Sequence, residues 1–494
     1  MFKSNFFSIF WSWLVGFCQQ YKVRLAVFFL FSLSLFFWFR LYRITTSIQF
    51  YNDIGRDFWE LLNWYQTGKP PLLGPQTSAL PFNQSAIYFY LLFPGYVLSG
   101  QSAYSTIYTG LFVYVLSFLI GWRWLKNNKD KWILGLIFLF TTVHPQVVIQ
   151  NRYVWNPTFV LPSLVAAVFI WLSLIDRWSS KKLLAWSFFS ALATAFSYSA
   201  APLVLSMLAL TPWLKIISWK KFFKYQIPFF ILSLVVVNLP TIVFEIRHQF
   251  LLTKMLLFQP KTEHLGTELT TKISALANYV FSTSSWLAVV VLVFLLVLAI
   301  RAYCQYRSNR QYNFAKKVFV ILALTVISLT LTFLAPVPIH PHYVFGALTV
   351  LLFLVALLPK KVGVIILIIA SVYWLQPKFT DQYFEPVGRS PSDLLACYTD
   401  FCDKYQQPIY VSVQSSLHPY HNGPEHRYFM KFSGCDVKEI EKFEPAELMA
   451  VVLEEGDYQH GSTSYYELSL FGESVELERY TCLPDVLEVV VLSK

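Results

Sequence analysis

Between residues 23 and 375 the chain carries eleven apolar runs, at 23–42, 103–122, 132–149, 158–175, 183–198, 200–217, 227–244, 284–303, 318–336, 343–358 and 362–375. Crossing a hydrocarbon core takes about 20 apolar residues at 1.5 Å each, and only helices and closed barrels satisfy the backbone there. The runs are helical in length. With 56% hydrophobic and 14% charged residues among 494, the chain is too apolar for a soluble globule of ordinary composition. The pattern predicts an all-α polytopic membrane domain over 1–375, with about eleven transmembrane helices, and a small extracytoplasmic α/β domain over 376–494. Residues 2–18 are apolar but short and lack a small-residue cleavage site, which predicts an interfacial helix.

Charge divides the chain at the same place. Residues 1–375 hold 30 basic and 8 acidic side chains and the remainder 9 and 20, so a net +22 precedes a net −11. In a soluble protein the overall +11 would suggest nucleic acid; here its placement argues for membrane topology instead. Alternate loops are basic, around Lys22 and Arg24, Arg123 to Lys131, Arg177 to Lys182, Lys215 to Lys224, Arg301 to Lys317, and Lys360 with Lys361. The positive-inside rule puts these in the cytoplasm with the N-terminus. Residues 43–100, the loops near 150, 245–283 and 337–343, and the acidic tail then face outwards from a multi-pass plasma-membrane protein.

Cys18 and Cys304 fall on the cytoplasmic side, whereas Cys397, Cys402, Cys435 and Cys482 all lie in the tail. An oxidising compartment could pair the four, in any of three connectivities; zinc and free thiols are the alternatives, and closely spaced metal-ligand pairs are missing. The tail predicts a helix over 391–405 and β-strands at PIYVSV, ELMAVVLEE, SYYELSLF and LEVVVL. His418, His421 and His426 around Asn422-Gly423-Pro424 read as a polar turn.

The interiors of the apolar runs carry no ionisable group apart from His144 near an outer end, which argues against an ion-coupled transporter. Polar residues gather at the outer lip: Asp53, Arg56, Asp57 and Glu60; Arg152 and Asn156; Glu245, Arg247 and His248; His340, His342 and Tyr343. The densest group opens Asp53–Thr67, a predicted helix with Asp53 at its N-cap and Gly68 at its end. Asp53 and Asp57 are four residues apart with Arg56 beside them, so a carboxylate could accept an acceptor's proton and the guanidinium could meet a phosphate. A capped helix with a local ion pair is the simpler alternative. Ala86–Leu98, rich in Tyr and Phe, predicts a helix lying at the interface.

NDIGRDFWELLNWYQTGKPPLLGPQTS followed by AIYFYLLFP resembles the first outer loop of the C-type membrane glycosyltransferases that include lipid A aminoarabinose transferases and protein O-mannosyltransferases. NRYVWNP at 151–157, LPTIVFEIRHQF at 239–250 and HPHYVFGAL at 341–348 are similar to later outer stretches of that family, in the same order. The resemblance covers roughly 1–375. It implies a glycosyltransferase that moves a sugar from a polyprenyl-phosphate donor to a glycan, lipid or protein acceptor at the outer face of the bilayer, with inversion and no nucleic-acid partner. Asp53 matches the first-loop aspartate and is the expected general base; many members have Asp-Glu where this chain has Asp53-Ile54, which leaves a second acid to Asp57. The resemblance places Arg56, Arg152, Arg247 and His342 around the donor phosphate, with Asn156, Glu245, His248, His340 and Tyr343 lining the site. No cofactor is expected. A divalent ion between Asp53 and Asp57 is the alternative, set against the six or more oxygens that hard cations require. A transporter or flippase, or a ligase or polymerase of lipid-linked glycans, is the rival function.

Overall fold

Every one of the eleven apolar runs forms helix in the computed structural model, which describes all residues except 1–20, 49, 78–82, 126–127, 259–267, 336–338, 415–422, 455–465 and 484–485. The helix expected at 2–18, Cys18, His418 and His421 therefore lie outside the described residues. Among the described residues, four helices are long and apolar enough to cross a membrane unaided: Ser105–Arg123, Asn156–Asp176, Ser285–Ser308 and Tyr312–Leu334. Three further segments qualify only as bent pairs, Asp130–Val143 with Pro145–Arg152 at 71°, Trp219–Val237 with Leu239–Arg247 at 69°, and Lys360–Trp374 with Pro377–Phe384 at 63°. This corrects the expectation of straight runs at 132–149 and 227–244. Pro145, Pro240 and Pro377 each stand in the first turn after a break, where the missing N–H interrupts the hydrogen-bond ladder.

The first break explains two arginines. Without an N–H on Pro145, the Thr141 carbonyl loses its helical donor. Arg40, fully buried, supplies the replacement, donating from Nη2 to Thr141 O at 2.8 Å and from Nη1 to Thr142 O at 2.6 Å. The helix that carries Arg40, Tyr21–Leu41, ends with orphan carbonyls of its own, and Arg152 answers them by donating from Nη1 to the oxygens of Phe39, Arg40 and Tyr42 at 3.0–3.2 Å. Arg40 thus caps the end of Asn128–Val143, and Arg152, from the helix just beyond the break, caps the end of Tyr21–Leu41. Arg40 lies within the run at 23–42, so ionisable groups in these runs are not confined to His144.

At the ends assigned to the basic side, Lys317 donates to Asp176 at 2.6 Å and ties two long helices together. The tail from Pro391 holds a four-stranded sheet in the order β1 (Ile409–Gln414), β2 (Leu448–Leu453), β4 (Leu487–Ser493), β3 (Val475–Leu483). The β1–β2 pair is parallel and the other two pairs are antiparallel. Helix Pro391–Lys404 begins where expected, with Ser390 and Asp393 forming a reciprocal cap. SYYELSLF is corrected from strand to the short helix Tyr466–Phe471, and the strand lies just beyond it in VELERYTCL, whose Val-Glu-Leu-Glu alternation is the period-2 signal. Disulfides join Cys397 to Cys482 and Cys402 to Cys435, which resolves the three connectivities.

Candidate active site at the outer lip

The helix at the centre of the lip runs Asn52–Thr67, starting after Tyr51 rather than with Asp53 as cap. Asp53 lies in the first turn, where a carboxylate favours the helix dipole. Gly68 at φ 68° closes the helix in the left-handed conformation a glycine tolerates, its N–H donating to Trp64 O at 2.8 Å. One turn from the start, Arg56 is gripped on both sides. Its Nη1 donates to Asp53 Oδ1 at 2.7 Å, while Nε and Nη2 donate to Asp57 Oδ1 at 3.1 and 2.9 Å. Tyr88, from helix Ile87–Leu98, donates to Asp57 Oδ2 at 2.8 Å.

Burial separates the two aspartates. Asp57 is fully buried, and that burial pushes its carboxyl up to about 6, with Arg56 and Tyr88 opposing. Burial also works against the Arg56 charge, but the Asp57 and Asp53 carboxylates outweigh it and raise the guanidinium above its ordinary value. Asp53 keeps 38% of its side chain exposed. It faces a cavity of about 440 Å³ whose wall also includes Arg56, Gln84, Trp155, Asn156, Tyr198, His342 and Tyr343. Leu205, Leu331, Ala335 and Ile339 make another part of that wall apolar. Asp57 is not among its lining residues, which corrects its expected place beside Asp53: it is the support behind Arg56.

The remaining expected residues divide in the same way. Asn156, at the turn into its helix, donates from Nδ2 to Gln84 Oε1 and Phe196 O, both at 2.7 Å, and so joins two walls. His342 packs between Trp155 and Tyr343, with ring centroids at 4.5 and 4.3 Å, and His340 stacks over it at 5.8 Å from an exposed position. Arg152 does not line the cavity. Besides its three carbonyls it bonds Ser47 Oγ and packs over Phe384. Arg247 is exposed on helix Leu239–Arg247 and also lies outside the lining set. Glu245 accepts from the Leu252 and Thr253 backbone N–H groups at 2.8 and 3.0 Å, which caps the following helix. His248 stacks on Phe244 at 4.0 Å. Arg152, Arg247, Glu245 and His248 are therefore not among the residues lining the cavity, and short-range partners at helix ends take up the side chains of Glu245 and His248.

Gln84, Thr77 and Tyr198 line the cavity and were not anticipated. Gln84 stands within Asn83-Gln84-Ser85, where a formal sequon is its only local signal, whereas Trp155 was legible from the NRYVWNP stretch. Arg56 stands between Asp53 and Asp57 and donates to both carboxylates. The closest metal-like set among the described residues is Glu425, His426 and Glu454, whose ligand atoms lie within 4.8 Å of one another. Arg389 already contacts both carboxylates, and His426 meets Tyr398 Oη through Nδ1 at 2.6 Å and Glu454 through Nε2 at 3.0 Å. His426 therefore belongs to a buried helix, Pro424–Phe432, rather than to a polar turn.

Fold and site together describe a helical membrane-protein architecture with a polar cavity at one end of its bundle and a small α/β unit beside it. No family model matches the chain, and no curated relative does. Among solved structures it is similar to ArnT from Cupriavidus metallidurans bound to undecaprenyl phosphate, with a TM-score of 0.60 at 11% identity over 96% of this chain and 98% of that one. It is also similar to the same protein in the apo state, with a TM-score of 0.56 over 94% and 97%. At this identity the likeness is one of fold. It runs across both the helical part and the tail, further than the stretch the sequence motifs covered.

Proposed function

We propose that this protein is a membrane glycosyltransferase that moves a sugar from a polyprenyl-phosphate donor to an acceptor at the outer face of the plasma membrane, with its N-terminus in the cytoplasm and its tail outside. The observation that carries this reading is the pairing, in one cavity, of an exposed carboxylate and a guanidinium with an apolar wall. Such a cavity suits a lipid phosphate whose chain stays in hydrocarbon. The fold shared with a protein crystallised with undecaprenyl phosphate supports the same class of donor.

In the reaction the acceptor's hydroxyl or amine attacks the anomeric carbon, the bond from that carbon to the phosphate oxygen breaks, and the polyprenyl phosphate leaves with the electron pair. Asp53 takes the acceptor's proton. It is suited to this by its exposure to the cavity and by Arg56, which orients one carboxylate oxygen. Arg56 faces the departing phosphate. A guanidinium has five N–H donors, and Asp53 and Asp57 take three of them, so two remain for phosphate oxygens. His342 is the second group placed to donate to the phosphate. One such contact contributes about 2–4 kcal/mol where negative charge develops. Asp57 and Tyr88 hold Arg56 in line and exchange no proton with substrate.

The test is sugar release from a panel of polyprenyl-phosphate sugars by the purified protein in nanodiscs. Asp53→Asn is expected to lower turnover at least about a hundredfold while donor binding persists, and chelator is expected to leave wild-type turnover unchanged. A wild type that neither turns over nor binds any such donor would refute the donor assignment, whereas binding and movement of the lipid-linked sugar across the bilayer without its release would favour a transporter.

A further inference from the structure

The helix that carries Asp53 and Arg56 has a second stripe, Gly55, Trp59 and Asn63, spaced four residues apart and therefore on one side. This stripe meets the tail. Lys431, on helix Pro424–Phe432, donates to Asn63 Oδ1 at 2.8 Å and lies 4.5 Å over the Trp59 ring. Phe58 and Phe50 add ring contacts with Tyr428 at 5.2 and 5.7 Å, and Phe50 meets Phe429 at 4.7 Å. Gly55 is the closest point. A Cβ placed there would stand 2.3 Å from the Glu425 backbone nitrogen and 2.5 Å from its Cα. Backbone cannot yield as a side-chain tip can, so only glycine lets the two helices approach this far.

Glu425 is itself anchored. It is fully buried, near Arg389, and the adjacent His426 and Glu454 join the same polar network with Tyr398. The disulfide from Cys402 to Cys435 encloses helix Pro424–Phe432 in a covalent loop. Two further bonds tie the tail to the lip, Val387 N–H to Thr46 O at 2.9 Å and the Ser392 hydroxyl to Thr45 O at 3.3 Å. The helix bearing the site thus rests on a rigid bed belonging to another part of the chain, one residue from Arg56.

We infer that the tail is a working part of the donor site: the contact of Gly55 with Glu425 sets the depth at which Arg56 and Asp53 enter the cavity, which makes Gly55 and Glu425 positioning residues for phosphate recognition. The inference rests on the proposed polyprenyl-phosphate reading and adds the device that places its cation. Filling Gly55 displaces the helix as a body, and a displacement of about 1 Å is enough to spoil a bonded geometry.

The experiment compares binding of undecaprenyl phosphate and of undecaprenol, the same chain without phosphate, to full-length wild type and to Gly55→Ala, read by quenching of tryptophan fluorescence. The variant is expected to bind the phosphate about tenfold more weakly, the loss of one charge-assisted contact, and the alcohol as wild type does. Equal binding of both lipids by variant and wild type overturns the inference. So does an equal loss of both, which would mark Gly55 as a general packing position. A wild type that does not distinguish phosphate from alcohol refutes the proposed donor instead. If Gly55→Ala does not yield folded protein, Lys431→Met decides by the same criterion: it loosens the same bed without a clash, and about a threefold selective loss of the phosphate is expected.

Discussion

Asp57 makes a contribution to stability whose pH dependence has a definite sign. Its carboxyl is fully buried and shifted from 3.8 to about 6, with burial the largest cause. Two units correspond to about 3 kcal/mol at 1.36 kcal/mol each. Because the folded state holds this proton more tightly than the unfolded chain, it carries more protons between pH 4 and 6, and stability falls as pH rises through that window. Below pH 4 the contribution is complete; above about 6 it is gone. Asp57→Asn removes the titration and leaves a neutral group able to accept from Tyr88. Melting curves of wild type and variant in one detergent, taken from pH 4 to 8, isolate the effect as a difference, since other groups titrate in both proteins. Wild type minus variant should fall by about 3 kcal/mol across pH 4–6, a few degrees in melting temperature, and then stay level. A difference that is flat, or that rises with pH, would refute the reasoning and show Arg56 and Tyr88 prevailing over burial.

Arg152→Ala should destabilise without acting on the donor phosphate, because it strands the Phe39, Arg40 and Tyr42 carbonyls at a buried helix end; a loss of about 3 kcal/mol in melting experiments is expected, with the ratio of undecaprenyl phosphate to undecaprenol affinity unchanged. Cys435→Ser opens a loop of 33 residues' separation, which on loop entropy costs about 4 kcal/mol. It should also bring forward proteolysis of the tail.

The helical body was legible because hydrocarbon leaves the backbone few choices: each of the eleven apolar runs from 23 to 375 forms helix among the described residues. Its bends were less so, although Pro145 and Pro240 mark two of them, because hydropathy and length carry no signal for where a helix turns. At the site, what depends on local spacing was readable. Asp53, Arg56 and Asp57 sit within two turns of one helix, and their mutual contacts follow from positions three and one apart. What depends on where a long side chain ends was not. Arg152 and Arg247 look alike in sequence, each beside an aromatic-rich or apolar stretch at the lip, yet one is spent on carbonyls and the other is exposed and not among the cavity's lining residues. An arginine's destination is decided by which acceptors are orphaned nearby, and those orphans are made by breaks elsewhere in the chain.

The distribution of charge in the cavity follows from the same logic. Of the four cationic or donor groups expected around one phosphate, Arg56 and His342 line the cavity, and Arg56 arrives with two carboxylates already bound. An arginine without them would be the stronger anion trap, but it would also hold a product phosphate more tightly than a sugar donor. Phosphate gains charge as the sugar leaves, so uniform tight binding gives no advantage in the reacting step, whereas a contact strengthened by that developing charge does. A guanidinium held by Asp57 from behind and shared with Asp53 in front offers its two remaining N–H groups at a fixed place and with moderated strength. On this view the buried aspartate, its tyrosine and the glycine contact with the tail serve one purpose, which is to keep Arg56 placed while leaving the product able to depart.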